Sequence, residues 1–175
     1  MKNNRYFLIL LISLSLSAFA AVSLTNYTVK EGKYSVKFTS KKIDGSFDGL
    51  KANIQFDKAH PELSRISASI DATTLSTGFF LKTNHAKDAL GVDKYPTIEF
   101  TSTAISRGES GYVAVGKLNL KGTTRNVSIF FTFDEKGNEG TFRGKFTVLT
   151  KEFNITRSGT PEKVDIDLIV SVTRH

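Results

Sequence analysis

The chain has 175 residues and contains no cysteine, so thiol catalysis, thiolate metal sites and disulfides are all excluded. Lysine and arginine outnumber aspartate and glutamate by 24 to 17, which gives a net charge of +7. The basic residues are scattered, however, and nucleic-acid binding would need a clustered basic stripe. The scattered charge therefore argues against binding to a nucleic acid. The length is typical of a single domain.

The first twenty residues have the features of a secretory leader. Lys2 and Arg5 precede the apolar run FLILLISLSLSAF, and Ala18-Phe19-Ala20 follows the small-x-small cleavage rule. The apolar run is too short for a transmembrane span. We therefore expect residues 1–20 to be a cleaved signal peptide, and residues 21–175 to form one domain that is periplasmic or secreted.

Alternation of apolar and polar residues dominates the rest of the chain and predicts β-strands. YTVK near the start is a short candidate, and eight further stretches alternate: YSVKFTSK, SFDGLKANIQFD, SRISASIDA, TIEFTSTAIS, GYVAVGKLNLKG, TRNVSIFFTFDE, GTFRGKFTVLT and KVDIDLIVSVT. Turn signals such as KEGK around Gly32 and DEKGNEG separate them. Because most connections are short, neighbouring strands should pair antiparallel, in a barrel or a sandwich.

Residues 75–95 interrupt this alternation. Phe79, Ala86 and Leu90 lie near helical spacing, and the helix-forming residues Ala, Lys and Leu are frequent. We therefore predict one short helix over about residues 77–92. Pro96 lacks the amide hydrogen that a sheet ladder needs, so it marks the point where the next strand begins.

No arrangement of residues predicts catalysis or a metal site. The histidines of the domain, His60, His85 and His175, lack the spacing of a metal-binding pair. Nucleophile motifs such as Gly-x-Ser-x-Gly do not occur in the sequence. We expect a protein that is not an enzyme and that uses no cofactor or metal; His85 is the one candidate for a general base.

Four stretches together have the pattern of a known family, namely KIDGSFDGLKANIQFD, SIDATTLSTG, NHA with the later DKYPTIEFTST, and VGKLNLKGTTRNVSI. They resemble the YceI-like family, the lipocalin-shaped, polyisoprenoid-binding proteins of the bacterial envelope. The resemblance covers about residues 27–172, nearly the whole predicted domain. It implies an all-β fold, an eight-stranded antiparallel lipocalin-like barrel with a helix near one end. It also implies an isoprenoid or similar lipid in the lumen and no catalysis.

The phase of the strands then predicts which residues line the lumen. If Ile98 and Phe100 point inward, the matching positions of other strands do so too, namely Phe38, Ile54, Phe56, Ile70, Leu118, Phe142 and Phe146. The strand 127–133 is apolar on both faces, so either Phe130 or the pair Phe131 and Phe133 points inward. We expect the mouth of the lumen to carry the residues that select a head group, Lys82, His85 and Tyr95.

The sequence is compatible with three functions. The first is a non-catalytic carrier that holds a long apolar ligand, a polyisoprenoid or another lipid, in the lumen. The alternative is a packed barrel that docks a partner protein in the cell envelope without a lipid, and the third is an enzyme with His85 as its base. The sequence also leaves open two further partners, an anionic membrane surface and a second copy of the chain.

Overall fold

The computed structural model of the protein describes residues 24–175, so the predicted signal peptide at residues 1–20 lies outside the described residues. Within that range the chain forms nine strands, one α-helix and three short 3₁₀ helices. The strands are β1 Thr25–Thr39, β2 Asp44–Phe47, β3 Lys51–Phe56, β4 Arg65–Asp71, β5 Thr97–Gly108, β6 Gly111–Leu120, β7 Thr123–Lys136, β8 Glu139–Leu149 and β9 Lys163–Arg174. The helix α1 is Phe80–Leu90, and the 3₁₀ helices are Pro61–Leu63, Ala72–Thr74 and Thr150–Phe153.

Eight of the strands close into an antiparallel barrel. Each pairs with its neighbour in the order β1-β3-β4-β5-β6-β7-β8-β9, and β1 also pairs with β9, which completes the circle. The predicted eight-stranded antiparallel barrel is therefore confirmed. The remaining strand, β2, has four residues and pairs with the second half of β1.

Two strand boundaries differ from the sequence prediction. The predicted turn at KEGK is wrong, because β1 runs through it as one strand. The register of β1 against β9 shifts around Gly32, which has a φ of 63°. Such a bulge bends a strand, and it lets β1 pair with β3 along its first half and with β2 along its second. The predicted SFDGLKANIQFD strand is divided into β2 and β3 by a turn at Gly49, whose φ is 71°.

The predicted helical insertion is present and lies at one end of the barrel. α1 falls inside the predicted range 77–92 and ends at Gly91, which has a left-handed φ of 66°. Nζ of Lys121, in the turn between β6 and β7, donates to the carbonyl oxygen of Ala89 at 2.7 Å and fastens the helix to the barrel. Within residues 24–175, no helix is both long enough and apolar enough to cross a membrane.

Aromatic rings fill one half of the barrel. We call this set the aromatic plug; its members are Tyr27, Phe56, Tyr112, Phe131, Phe133 and Phe142. Phe56 on β3 is 1% exposed, and its ring lies 5.4 Å, centroid to centroid, from that of Phe133 on β7, at the opposite side of the barrel. Most of these contacts are edge to face, a favourable geometry for aromatic pairs. The rings therefore meet across the axis and close this end.

The plug also resolves the orientation of strand 127–133. Phe131 and Phe133 are buried, whereas Phe130 is 62% exposed on the outer wall. Of the two orientations that the sequence leaves open, the structure has the pair pointing inward. Gly140 on β8 makes room for one of these rings, because a Cβ at that position would lie 2.4 Å from the Phe133 ring.

A polar contact covers the plugged end. The Tyr27 hydroxyl donates to Oε1 of Glu135 at 2.7 Å, and Nζ of Lys58 lies 2.7 Å from Oε2 of the same carboxylate. Burial, followed by the nearby carboxylate, raises the pKa of the Tyr27 hydroxyl. The hydrogen bond from Lys58, followed by that from Tyr27, holds the pKa of Glu135 below its usual range. Both shifts favour a protonated hydroxyl that donates to an ionised carboxylate.

Removal of the Phe56 ring should destabilise the barrel. Four other rings of the plug lose a partner in Phe56→Ala. We expect the free energy of unfolding to fall by about 3–5 kcal/mol, as for other buried phenylalanines, and urea denaturation measures the change. Phe130→Ala on the outer wall is the matched control and should change stability by less than about 0.5 kcal/mol. Equal losses in the two variants would contradict the proposed importance of the plug.

Candidate functional site

The other half of the barrel is hollow. It holds a cavity of about 620 Å³ at the end where α1 lies. The walls come from the ends of β1, β4, β5, β6, β8 and β9 that are remote from the aromatic plug, together with β2, α1 and the loop before β9. Most of the lining is aliphatic or aromatic. A pocket of this size and polarity suits a small apolar ligand.

Five of the nine residues predicted to line the lumen lie on the wall of this cavity, namely Phe38, Ile70, Ile98, Leu118 and Phe146. The other four do not reach it and are buried in the cluster that contains the plug; they are Ile54, Phe56, Phe100 and Phe142. The division arises because alternation identifies the inward face of a strand but not the height of a residue along the barrel axis. Ligand contact by the first five residues stays a prediction.

Two of the three residues predicted at the mouth line the cavity. Lys82 and His85 reach it from α1. Tyr95 does not, because its ring packs on the turn between β6 and β7, where a Cβ at Gly122 would lie 2.5 Å from Cε1 of the ring. Tyr95 therefore packs the segment after α1 against the barrel.

The sequence prediction misses several residues of the cavity. Four of them occupy the inward phase of β1, β8 and β9 and could have been found from the alternation: Val36, Val148, Val164 and Ile166. Two others, Lys42 and Arg157, lie in loops, where no periodic pattern shows which way a side chain points. Only the folded structure shows that these two side chains lie at the opening.

Contacts between α1 and the loop before β9 shape the opening. Nη1 of Arg157 lies 3.2 Å from Oδ2 of Asp88 and donates to the carbonyl oxygen of His85 at 3.3 Å. Nζ of Lys42 lies 3.5 Å from the carbonyl oxygen of Gly159 in the same loop. Three segments that are distant in sequence are thus brought together at the opening of the cavity.

The site offers apolar surface and positive charge. Within the part of the chain that the structure describes, no group of three His, Asp or Glu side chains is placed to hold a metal ion. His85 is exposed at the opening, and its backbone carbonyl accepts the hydrogen bond from Arg157. This arrangement can hold an apolar chain in the cavity and a polar group at its opening.

Known proteins share the sequence pattern of this chain. The sequence model of the YceI-like domain matches residues 27–173. A UPF0312 protein of Yersinia enterocolitica is 29% identical over 174 residues, and one of Pectobacterium atrosepticum is 28% identical over 175 residues. Each of these two matches covers at least 91% of both chains.

Solved structures share the fold. Burkholderia cenocepacia BcnA superposes with a TM-score of 0.76 at 25% identity, over 83% of this chain and 99% of that one. A polyisoprenoid binding domain from Saccharophagus degradans gives a TM-score of 0.63 at 11% identity, over 87% of this chain and 100% of that one. The closed barrel with its helix agrees with the sequence match over nearly the whole domain, and the chain belongs to the YceI-like family.

Proposed function

We propose that the protein is a non-catalytic carrier that binds the apolar tail of a lipid in the cavity. The observation that carries the proposal is the hollow half of the barrel, about 620 Å³ enclosed mainly by apolar side chains. Membership of the YceI-like family supports a binding role, and the Saccharophagus degradans relative is described as a polyisoprenoid binding domain.

The aromatic plug limits the length of the tail. Because Phe56 and Phe133 meet across the axis, a chain that enters beside α1 cannot thread through the barrel. Each buried methylene contributes about 0.8 kcal/mol, so ten contribute about 8 kcal/mol before the ligand is ordered, which corresponds to micromolar binding. The proposal is therefore a short isoprenoid or fatty chain; a longer polyisoprenoid would project from the opening.

The alternative function is a packed barrel that docks a partner protein without a lipid. The aromatic plug favours it, since the protein's own side chains fill that half of the interior. It leaves the apolar cavity in the other half without a role, however. We therefore place the carrier function first.

We further propose that the opening faces an anionic bilayer. Phe79, Phe80 and Leu81 at the start of α1 are 67%, 78% and 69% exposed, an unusual run of large apolar side chains in water. The next residue, Lys82, lines the cavity and places Nζ 5.2 Å from the centre of the Phe79 ring. Apolar side chains beside lysine are typical of segments that insert into the interface of a bilayer with anionic lipids. A lipid tail that moved from such a bilayer into the cavity would cross little water.

We also propose that the protein works in the periplasm or after secretion, once residues 1–20 have been removed. The support is the basic start, the apolar run and the cleavage motif of the sequence.

A phenyl ring placed in the cavity should block the ligand. Ala86 on α1 lines the cavity, so the ring of Ala86→Phe would occupy space that a tail needs without disturbing the packed half. We expect the affinity for dodecanol or farnesol to fall by about tenfold or more, because several methylenes lose their place. Displacement of a neutral fluorophore measures affinity, and thermal melting followed by circular dichroism checks the fold.

The control for Ala86→Phe is Val115→Phe, which adds a ring on the outer wall of β6, where Val115 is 38% exposed. This variant should bind both alcohols as the unmodified protein does. Equal affinity in the protein and in Ala86→Phe would contradict binding in the cavity. Native mass spectrometry of protein from its own host should show a bound apolar molecule in the unmodified protein and not in Ala86→Phe.

Polar side chains at the start of α1 should prevent membrane binding. In the combined variant Phe79→Ser, Phe80→Ser and Leu81→Ser, we expect the bound fraction on phosphatidylglycerol vesicles to fall by about tenfold, because the inserted apolar area is lost. The helix should remain, since Phe79 occupies the N-cap without a side-chain hydrogen bond and serine is a favourable N-cap. Co-sedimentation measures the bound fraction, with phosphatidylcholine vesicles as the uncharged comparison.

Phe130→Ser, on the outer wall, is the control for this experiment and should leave vesicle binding unchanged. If the unmodified protein does not bind phosphatidylglycerol vesicles, the membrane proposal is wrong. If the triple variant instead converts a dimer into a monomer, as measured by light scattering, the surface binds a second copy of the chain and not a bilayer.

Mass spectrometry can test the proposed processing. We expect protein from the envelope or culture fluid of its host to begin at Ala21, because the peptidase that recognises Ala18-Phe19-Ala20 cuts after Ala20. Recovery of a chain that starts at Met1, or recovery from the cytosolic fraction alone, would rule out the proposal.

A further inference from the structure

The permanently charged side chains that line the cavity, Lys42, Lys82 and Arg157, are all cationic. We call Lys42, Lys82, His85 and Arg157 the rim cluster; no aspartate or glutamate lies among the lining residues in the part of the chain described by the structure. The shallower depression of about 300 Å³ at the plugged end offers a comparison, because it is lined by lysines and carboxylates in equal number, namely Lys30, Lys33, Lys136, Asp134, Glu135 and Glu139. Excess positive charge is therefore a property of the cavity and not of every concave surface.

Two of the three permanent charges in the rim cluster have no carboxylate partner. Arg157 pairs with Asp88, with 3.2 Å between Nη1 and Oδ2. Among residues 24–175, neither Lys42 nor Lys82 forms an ion pair. Lys42 reaches only as far as a backbone carbonyl at 3.5 Å, and Lys82 lies over the Phe79 ring. Their ammonium groups are therefore available to a ligand.

The rim cluster lies directly beside the apolar wall. Ala86 and Ala89 line the cavity from α1, and Lys82 and Ala86 are one helical turn apart on the same face. An amphiphile with its tail in the cavity would thus have its head group among the four side chains. The cluster comes from three separate segments, so a head group would be approached from more than one direction.

We propose that the rim cluster selects lipids with an anionic head group, a carboxylate or a phosphate ester, over neutral lipids with the same tail. The inference rests on the proposed carrier function. Ammonium and guanidinium groups form shorter and stronger hydrogen bonds to these oxyanions than to a neutral hydroxyl. Because the side chains are exposed to water, the preference should be moderate, about tenfold in affinity.

Pairs of probes that differ only in the head group test the selection. Dodecanoic acid is compared with dodecanol, and farnesyl phosphate with farnesol, at about pH 8, where both acids are ionised. Each of the four probes is titrated against the protein with a neutral fluorophore bound, and displacement of the fluorophore gives the dissociation constant of that probe. We expect each anion to bind about tenfold more tightly than its alcohol. A preference in only one pair identifies carboxylate or phosphate as the recognised group.

Variants separate the rim cluster from the overall charge of the protein. In the combined variant Lys42→Gln, Lys82→Gln and Arg157→Gln, the ratio of anion to alcohol affinity should fall to about one. The control is the combined variant Lys33→Gln, Lys117→Gln and Lys136→Gln, which loses the same net charge at positions away from the opening. It should have the same ratio of anion to alcohol affinity as the unmodified protein. Should the rim variant fold poorly, ionic strength provides the second measurement on the unmodified protein. The ratio should decrease as the Debye length falls from about 30 Å to about 3 Å, between about 0.01 and 1 M salt.

The outcomes distinguish this inference from the carrier function. Alcohols and anions that bind the unmodified protein equally well would overturn the inference and leave the carrier function standing. An equal loss of preference in the rim and control variants would also overturn it, because the net charge of the whole protein would then be the cause. If no probe binds, both the carrier function and the inference are wrong.

Discussion

Phe56 and Phe133 come from opposite sides of the barrel, and their ring centroids lie 5.4 Å apart in its interior. An eight-stranded barrel has an interior that side chains can just fill, or that can hold one small ligand. Both possibilities occur in this protein, since rings fill one half and mainly aliphatic side chains surround a cavity in the other. The same eight strands form both halves, so the backbone does not distinguish them. The size of the inward-facing side chains therefore determines where the cavity ends.

The inward face of each strand could be predicted from the sequence, because a strand places alternate residues on opposite faces. Ile98 and Phe100 show the limit of this prediction. Both point inward from β5, yet Ile98 lines the cavity, whereas Phe100 is buried over Gly116, where a Cβ would lie 2.7 Å from its ring. Height along the axis depends on the register of β5 against β4 and β6, and no single strand contains that information.

Other features could not be predicted because they depend on contacts between distant residues. KEGK has the composition of a turn, but the ladder with β9 continues on both sides of Gly32 and keeps β1 extended. Arg157 reaches the opening through its contact with Asp88, which is 69 residues earlier in the chain. The helix α1 could be predicted because its signals are local: helix-forming residues lie between the glycines at 78 and 91, and Gly91 ends it.

The division of the barrel also indicates where a ligand enters. Side chains around a cavity lack packing partners, so the hollow half contributes less stability than the plugged half. A bound lipid tail would supply the missing contacts, and because it would bind only the folded state it would stabilise that state. The sheet around the cavity is held by continuous ladders such as that between β8 and β9. By contrast, α1 and the loop before β9 are joined at the opening by exposed polar contacts of Arg157, with Oδ2 of Asp88 and with the carbonyl oxygen of His85. Exposed contacts of this kind contribute little free energy, so these two segments should separate before any strand does. We therefore expect a ligand to enter between α1 and this loop, where it would pass the rim cluster first.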